Sequence, residues 1–176
     1  MGAFLLKRSY SLVGFILLLY HCIMDFPNIF TSEESQNLVN RINKLTQESQ
    51  ALWGKMNVAQ MLKHCNVPYQ MVYEPTKFRK PGGLAKIMIK LFAKNTVVGT
   101  RPYAKNGKTA PDFIVPADQN FQRQKMAIEN HIWQVQKDGA SSFDGKESHA
   151  LGNLTANEWN TMFYKHLDHH LRQFGV

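Results

Sequence analysis

Apolar residues recur along this chain with a helical period, and polar caps mark where the helices begin. Thr31-Ser32-Glu33-Glu34 has the form of a capping box, in which the first side chain and the acid three residues on satisfy free N–H groups. Leu38, Val39, Ile42 and Leu45 follow on one face, so the first helix is expected from about Ser32 to Thr46. Asn57 is a good N-cap for a second helix striped by Val58, Met61, Leu62, Cys65, Tyr69 and Val72. Pro68 interrupts it: a proline has no N–H to offer the carbonyl of His64, and a kink is expected there.

The spacing predicts a third helix over about Gly83–Lys94, with Leu84, Ile87, Met88, Leu91 and Phe92 inward and Lys86, Lys90 and Lys94 outward. Asn95 to Ala117 has little periodicity and reads as a long surface loop, a length more often tied to function than to connection alone. A fourth helix is expected from a cap at Asp118 to Gly139, striped by Phe121, Ile128, Ile132 and Val135. A second capping box, Thr155-Ala156-Asn157-Glu158, opens a fifth helix that runs to about Phe174-Gly175. No strand-like alternation competes, and the expected fold class is an all-α bundle.

The 176 residues, 44% hydrophobic and 19% charged, suffice for one core and exclude global disorder. The net charge of +8 is unevenly spread. Between Pro75 and Pro111 stand Lys77, Arg79, Lys80, Lys86, Lys90, Lys94, Arg101, Lys105 and Lys108, with no acidic residue. Such a stretch suits nucleic acid, an anionic membrane surface or a small anionic ligand, although a solvated basic face is its simplest reading. Cys22 and Cys65 lack the spacing of a disulfide framework or thiolate site, and a reducing, cytoplasmic setting is expected. Residues 1–24 stand apart from the domain expected over 25–176: Lys7-Arg8 before the apolar run Leu12–Tyr20 resemble the n- and h-regions of a signal peptide, without a small-x-small cleavage site and too short to span a bilayer. Met24 offers a second plausible start.

Three histidines fall within five residues in Tyr164-Lys165-His166-Leu167-Asp168-His169-His170. His166 and His170 are four apart, so a helix stacks them on one face, beside the arc of Trp159, Phe163, Leu167 and Phe174. Two imidazoles there need partners, and one divalent metal would serve both. His64 is the best third ligand. By spacing alone, satisfied structural histidines or an exposed basic face fit as well as a metal site. His169 reads as a solvent-side or supporting residue, His131 as structural, and His149 as either near the site mouth or a loop anchor. Cys65 reads as a small buried hydrophobe, since adjacent helical residues point ~100° apart and it cannot pair with His64.

Longer strings carry a resemblance. Leu52-Trp53-Gly54-Lys55-Met56-Asn57-Val58-Ala59-Gln60-Met61-Leu62-Lys63-His64-Cys65 resembles the second-helix signature of an uncharacterised branch of the DinB-like (damage-inducible protein B) superfamily. Ser148-His149-Ala150-Leu151-Gly152, then Leu154-Thr155 and Glu158-Trp159, resembles its turn into the last helix, and His166-Leu167-Asp168-His169-His170 its closing H-x-x-H-H. The likeness covers about Phe26 to Val176 and departs at His149-Ala150-Leu151-Gly152, which lacks the Pro and Phe usual there. It implies a four-helix bundle with an additional helix and a divalent metal, zinc or nickel, held by His64, His166 and His170. It also implies a metal-dependent enzyme of thiol S-transferase type; a metal-dependent hydrolase and a non-catalytic metal-binding stress-response module are the alternatives. The expected partners are a low-molecular-weight thiol or other small anionic substrate and a second copy of the chain, without nucleic acid or a bilayer span.

Overall fold

The computed structural model describes residues 26–176. The expectations for residues 1–24, and for His21 and Cys22, fall outside the described residues. Among the described residues five α-helices follow one another: α1 Ser32–Asn43, α2 Val58–Tyr73, α3 Gly83–Val98, α4 Phe121–Asp138 and α5 Ala156–Gln173. Among the described residues the only strand-like pairing is one bridge, Glu147 with Asn153. The fold is an all-α bundle of α1, α2, α4 and α5, with α3 laid against α5. No helix of the described residues is long and apolar enough to cross a membrane.

Three helices are capped at the residues the sequence predicts. Thr31 accepts from the Glu34 N–H, and Asn57 and Thr155 each make complete capping boxes with Gln60 and Glu158. Behind them the apolar stripes meet in one core. Leu38, Ile42, Met61, Leu62, Ile128, Ile132, Val135 and Trp159 are buried to 1% exposure or less. Tyr69 stacks on Phe163 with ring centroids 4.6 Å apart, and Phe143 meets the edges of Trp159 and Phe163. Helix α2 runs through Pro68, while Asn66 ties it to α4 by donating to the Gln124 carbonyl.

Several boundaries differ from the sequence pattern. Helix α1 stops at Asn43, three residues early, although Leu45 is still buried by the turn that follows. Helix α4 starts at Phe121 because Asn120, not Asp118, accepts from the Arg123 N–H. Helix α3 runs four residues past Lys94, and its predicted inner face is the outer one. Leu84, Ile87, Met88, Leu91 and Phe92 are exposed, whereas Ile89, Ala93, Val97 and Val98 pack on the core. The lysines explain the reversal: Lys86 pairs with Glu147 and Lys94 with Glu158, which turns their side of the helix inward.

Replacing Asn57 with Ala removes the side-chain half of its capping box and should cost about 1 kcal/mol. Urea unfolding should show a lower midpoint with an unchanged slope; an unchanged midpoint would mean that packing alone holds this end of α2.

Candidate metal centre

Helix α5 brings His166 and His170 to one face, one turn apart, and α2 presents His64 opposite them. The three rings form a near-equilateral cluster with centroids 4.9, 4.6 and 4.9 Å apart, and one ring nitrogen from each lies within 4.8 Å of the others. His64 and His170 are buried and His166 is half-buried. Three imidazole nitrogens gathered at this distance could hold one metal ion. The sequence-predicted trio is therefore brought together.

Hydrogen-bond partners fix which nitrogen each ring offers. The Phe113 carbonyl lies 2.9 Å from His64 Nδ1, and a carbonyl only accepts, so Nδ1 carries the hydrogen and Nε2 keeps its lone pair. Gln173 does the same for His170. Its amide Nε2 donates to the Trp53 carbonyl at 2.6 Å, which turns Oε1 toward His170 Nδ1 at 2.8 Å as an acceptor. His166 Nε2 then stands 2.9 Å from His64 Nε2 and donates to it when no ion is bound. Outer partners of this kind set tautomer and ring orientation at histidine metal sites.

The electrostatics agree. Burial holds the pKa of all three rings below the ordinary histidine value, to about 3 for His170 and well down for His166, whose neighbours His170 and His64 add to the effect. Each is a neutral imidazole near pH 7, the state a metal requires.

The segment expected to be a long surface loop supplies much of the site. The 3-10 turn Pro111–Phe113 sets the Phe113 ring against His64 and His166 at 5.5 and 5.9 Å, and Tyr103 meets His166 and His169 edge-on. Gln60 and Asn57 of α2 donate to the Val115 and Ala117 carbonyls and hold this segment down. At its start, Lys165 of α5 donates to the carbonyls of Thr96, Gly99 and Arg101 with its ammonium over the Tyr103 ring. Burial lowers the Lys165 pKa to about 8, and the three carbonyl oxygens favour its charged form.

A cavity of about 290 Å³ adjoins His170 and is lined in part by Trp53, Lys55, Met56, Thr109 and His169. Gly54 closes one wall at φ +87°, where a Cβ would lie 2.4 Å from Gln173 Nε2. Any larger residue there would displace the side chain that orients His170. His169 is half-buried between Trp53 and Tyr103, in a supporting position. His131 is structural, parallel to Tyr69 and Tyr73 and bonded through Nδ1 to Asn66. His149 does not join the cluster: its ring meets Phe78, within a turn braced by Ser148. Cys65 is fully buried beside Met61, and burial pushes its thiol pKa up.

Sequence reasoning missed Gln173, Phe113 and Tyr103. Gln173 had a legible signal, since it lies three residues after His170 on the same helix. Phe113 and Tyr103 come from a segment without periodicity and had none.

With this geometry in place, comparison with known proteins adds a family. Residues 28–175 match the family described as "Protein of unknown function (DUF1569)", and the chain belongs to it. No curated protein and no solved structure matches it.

The lowered histidine pKa values set a pH dependence for the metal-free protein. Unfolded histidines titrate near ~6.5, so below that pH the unfolded chain takes up protons that the folded triad refuses. Stability should be full above about pH 6.5 and fall progressively toward the folded values. Urea midpoints measured from about pH 7.5 to 5 should drop in the metal-free protein, and His170→Gln should flatten the trend. Equal slopes in both proteins would place the acid sensitivity in other groups.

Proposed function

We propose that this family member holds one divalent ion, zinc or nickel, through His64, His166 and His170, and acts as a metal-dependent enzyme on a small anionic thiol. The observation that carries the reading is the fixed tautomer of His64 and His170. With both Nδ1 hydrogens engaged by Phe113 and Gln173, each Nε2 is left with a lone pair inside the cluster. The resemblance of Leu52–Cys65 and His166–His170 to the DinB-like superfamily supports the same ligands and the same class of chemistry.

Three neutral ligands leave coordination positions open, the arrangement of catalytic rather than closed structural sites. The ion supplies Lewis acidity, which favours the thiolate form of a thiol near neutral pH. The protein supplies binding and proton handling. His169, the one histidine beside His170 in the cavity lining, is kept below the ordinary pKa by burial and is placed to accept the thiol proton. Lys55 lines the cavity and Lys105 stands 4.3 Å over the Trp53 ring, so both are placed to receive a thiol's carboxylates. Within the basic segment Thr76–Lys108, Lys77, Lys80, Lys86 and Lys94 are paired with Glu74, Glu147 and Glu158, and Lys105 takes this role because it stands over Trp53 in the cavity wall. Sulfur would bond to an electrophilic carbon of the second substrate, whose leaving group departs with the bonding pair.

Elemental analysis of the purified protein should find one zinc or nickel per chain. His166→Ala should abolish this stoichiometric metal, whereas His169→Ala should keep it and lose turnover of an electrophile with bacillithiol, glutathione or coenzyme A. Equal metal loss in both variants would mean that the ligands are wrongly assigned. Metal without turnover of any thiol would favour the binding-module alternative, and metal-dependent ester or amide hydrolysis would favour a hydrolase.

A further inference from the structure

Helix α3 carries its large apolar residues on the side away from the bundle. Leu84, Ile87, Met88, Leu91 and Phe92 recur at i, i+3, i+4, i+7 and i+8, one continuous stripe, and are 78, 56, 47, 68 and 73% exposed. The bundle-facing side is already satisfied, by Ile89, Ala93 and Val97 on the core and by the ion pairs of Lys86 and Lys94. Five such side chains leave on the order of 500 Å² of apolar surface in water, at the upper end of what a monomer tolerates without a partner.

The margins of the stripe are cationic. Arg79 and Lys80 precede the first turn of α3 and Arg101 follows the helix, all three exposed, and Lys90 is exposed on the helix itself. Lys80 lies 3.6 Å from Glu147, whereas Arg79, Lys90 and Arg101 make no ion pair among the described residues, and the sequence from Pro75 to Pro111 carries no carboxylate of its own. A second copy docked through this stripe would set two such margins against each other, and like charges across an interface are repulsive. An anionic lipid surface offers the complement on both counts, acyl chains for the stripe and headgroups for the cations.

We propose that α3 lies flat in the interface of an anionic bilayer, with Leu84, Ile87, Met88, Leu91 and Phe92 sunk to the headgroup–acyl boundary. At 16 residues the helix is roughly 24 Å long, and its other face stays on α5, so the protein rests on the bilayer without crossing it. The segment that carries Tyr103 and Phe113 to the histidine cluster follows α3 in the chain.

The test is co-sedimentation of the full chain with vesicles of phosphatidylglycerol and phosphatidylcholine in equal parts, against phosphatidylcholine alone. The protein should bind the anionic vesicles, release as salt is raised, and leave the neutral ones free. The double variant Leu84→Ser/Leu91→Ser changes exposed positions only, so its circular dichroism, melting and metal content should match the parent, while its vesicle partitioning should fall roughly tenfold or more. Absence of binding by the parent would overturn the proposal. Undiminished binding by the variant would also overturn it and assign the affinity to residues outside the stripe. A parent dimer that Leu91→Ser converts to monomers would assign the stripe to a second copy instead. Unchanged metal content in the variant keeps each of these outcomes separate from the metal reading.

Discussion

Three imidazoles can share one buried place only while none of them is charged. That constraint governs the architecture around the triad. Burial alone would leave polar nitrogens without partners, so each ring needs a hydrogen bond on one nitrogen and a lone pair free on the other. The Phe113 carbonyl and the Gln173 amide meet that need for His64 and His170, and each must itself be held. Gln173 is held by the Trp53 carbonyl, with Gly54 leaving room for it. Phe113 is held by the ties from α2 to the segment around it. The bundle thus supplies the positions, and irregular chain supplies the chemistry of orientation.

The parts of this arrangement legible in the sequence are those with a period. Capping boxes at Asn57 and Thr155 set the phase of α2 and α5, and that phase places His64, His166 and His170 on facing sides. Contacts made by chain without a period were not legible. Nothing in Asn95–Ala117 signals that Phe113 would sit on His64 or that Tyr103 would meet His169. Helix α3 shows the limit from the other direction. Its pattern was amphipathic, but amphipathicity gives two faces and does not say which one the bundle takes. Glu147 and Glu158, far along the chain, decided it by drawing Lys86 and Lys94 inward.

Charge placement ties the accessory helix to the centre. Lys165 is buried among polypeptide carbonyls at the end of α3, a setting that tolerates an ammonium because three oxygens surround it. Its neighbour in sequence, His166, belongs to the triad. Two adjacent residues of α5 therefore serve two neighbourhoods ~100° apart around the helix axis.

That division has a consequence for how the gene can change. One residue added or lost between Trp159 and Lys165 would rotate everything after it by ~100°, and at one stroke would withdraw Lys165 from its carbonyls, His166 and His170 from His64, and Asp168 from Arg41. Helix α5 can vary in composition at its outer positions but not in length. Variation in length is left to the turns before it, where Gly145 and Gly152 already reverse the chain at positive φ. Relatives that keep the triad are expected to differ in spacing there and to be ungapped from Trp159 to Gln173.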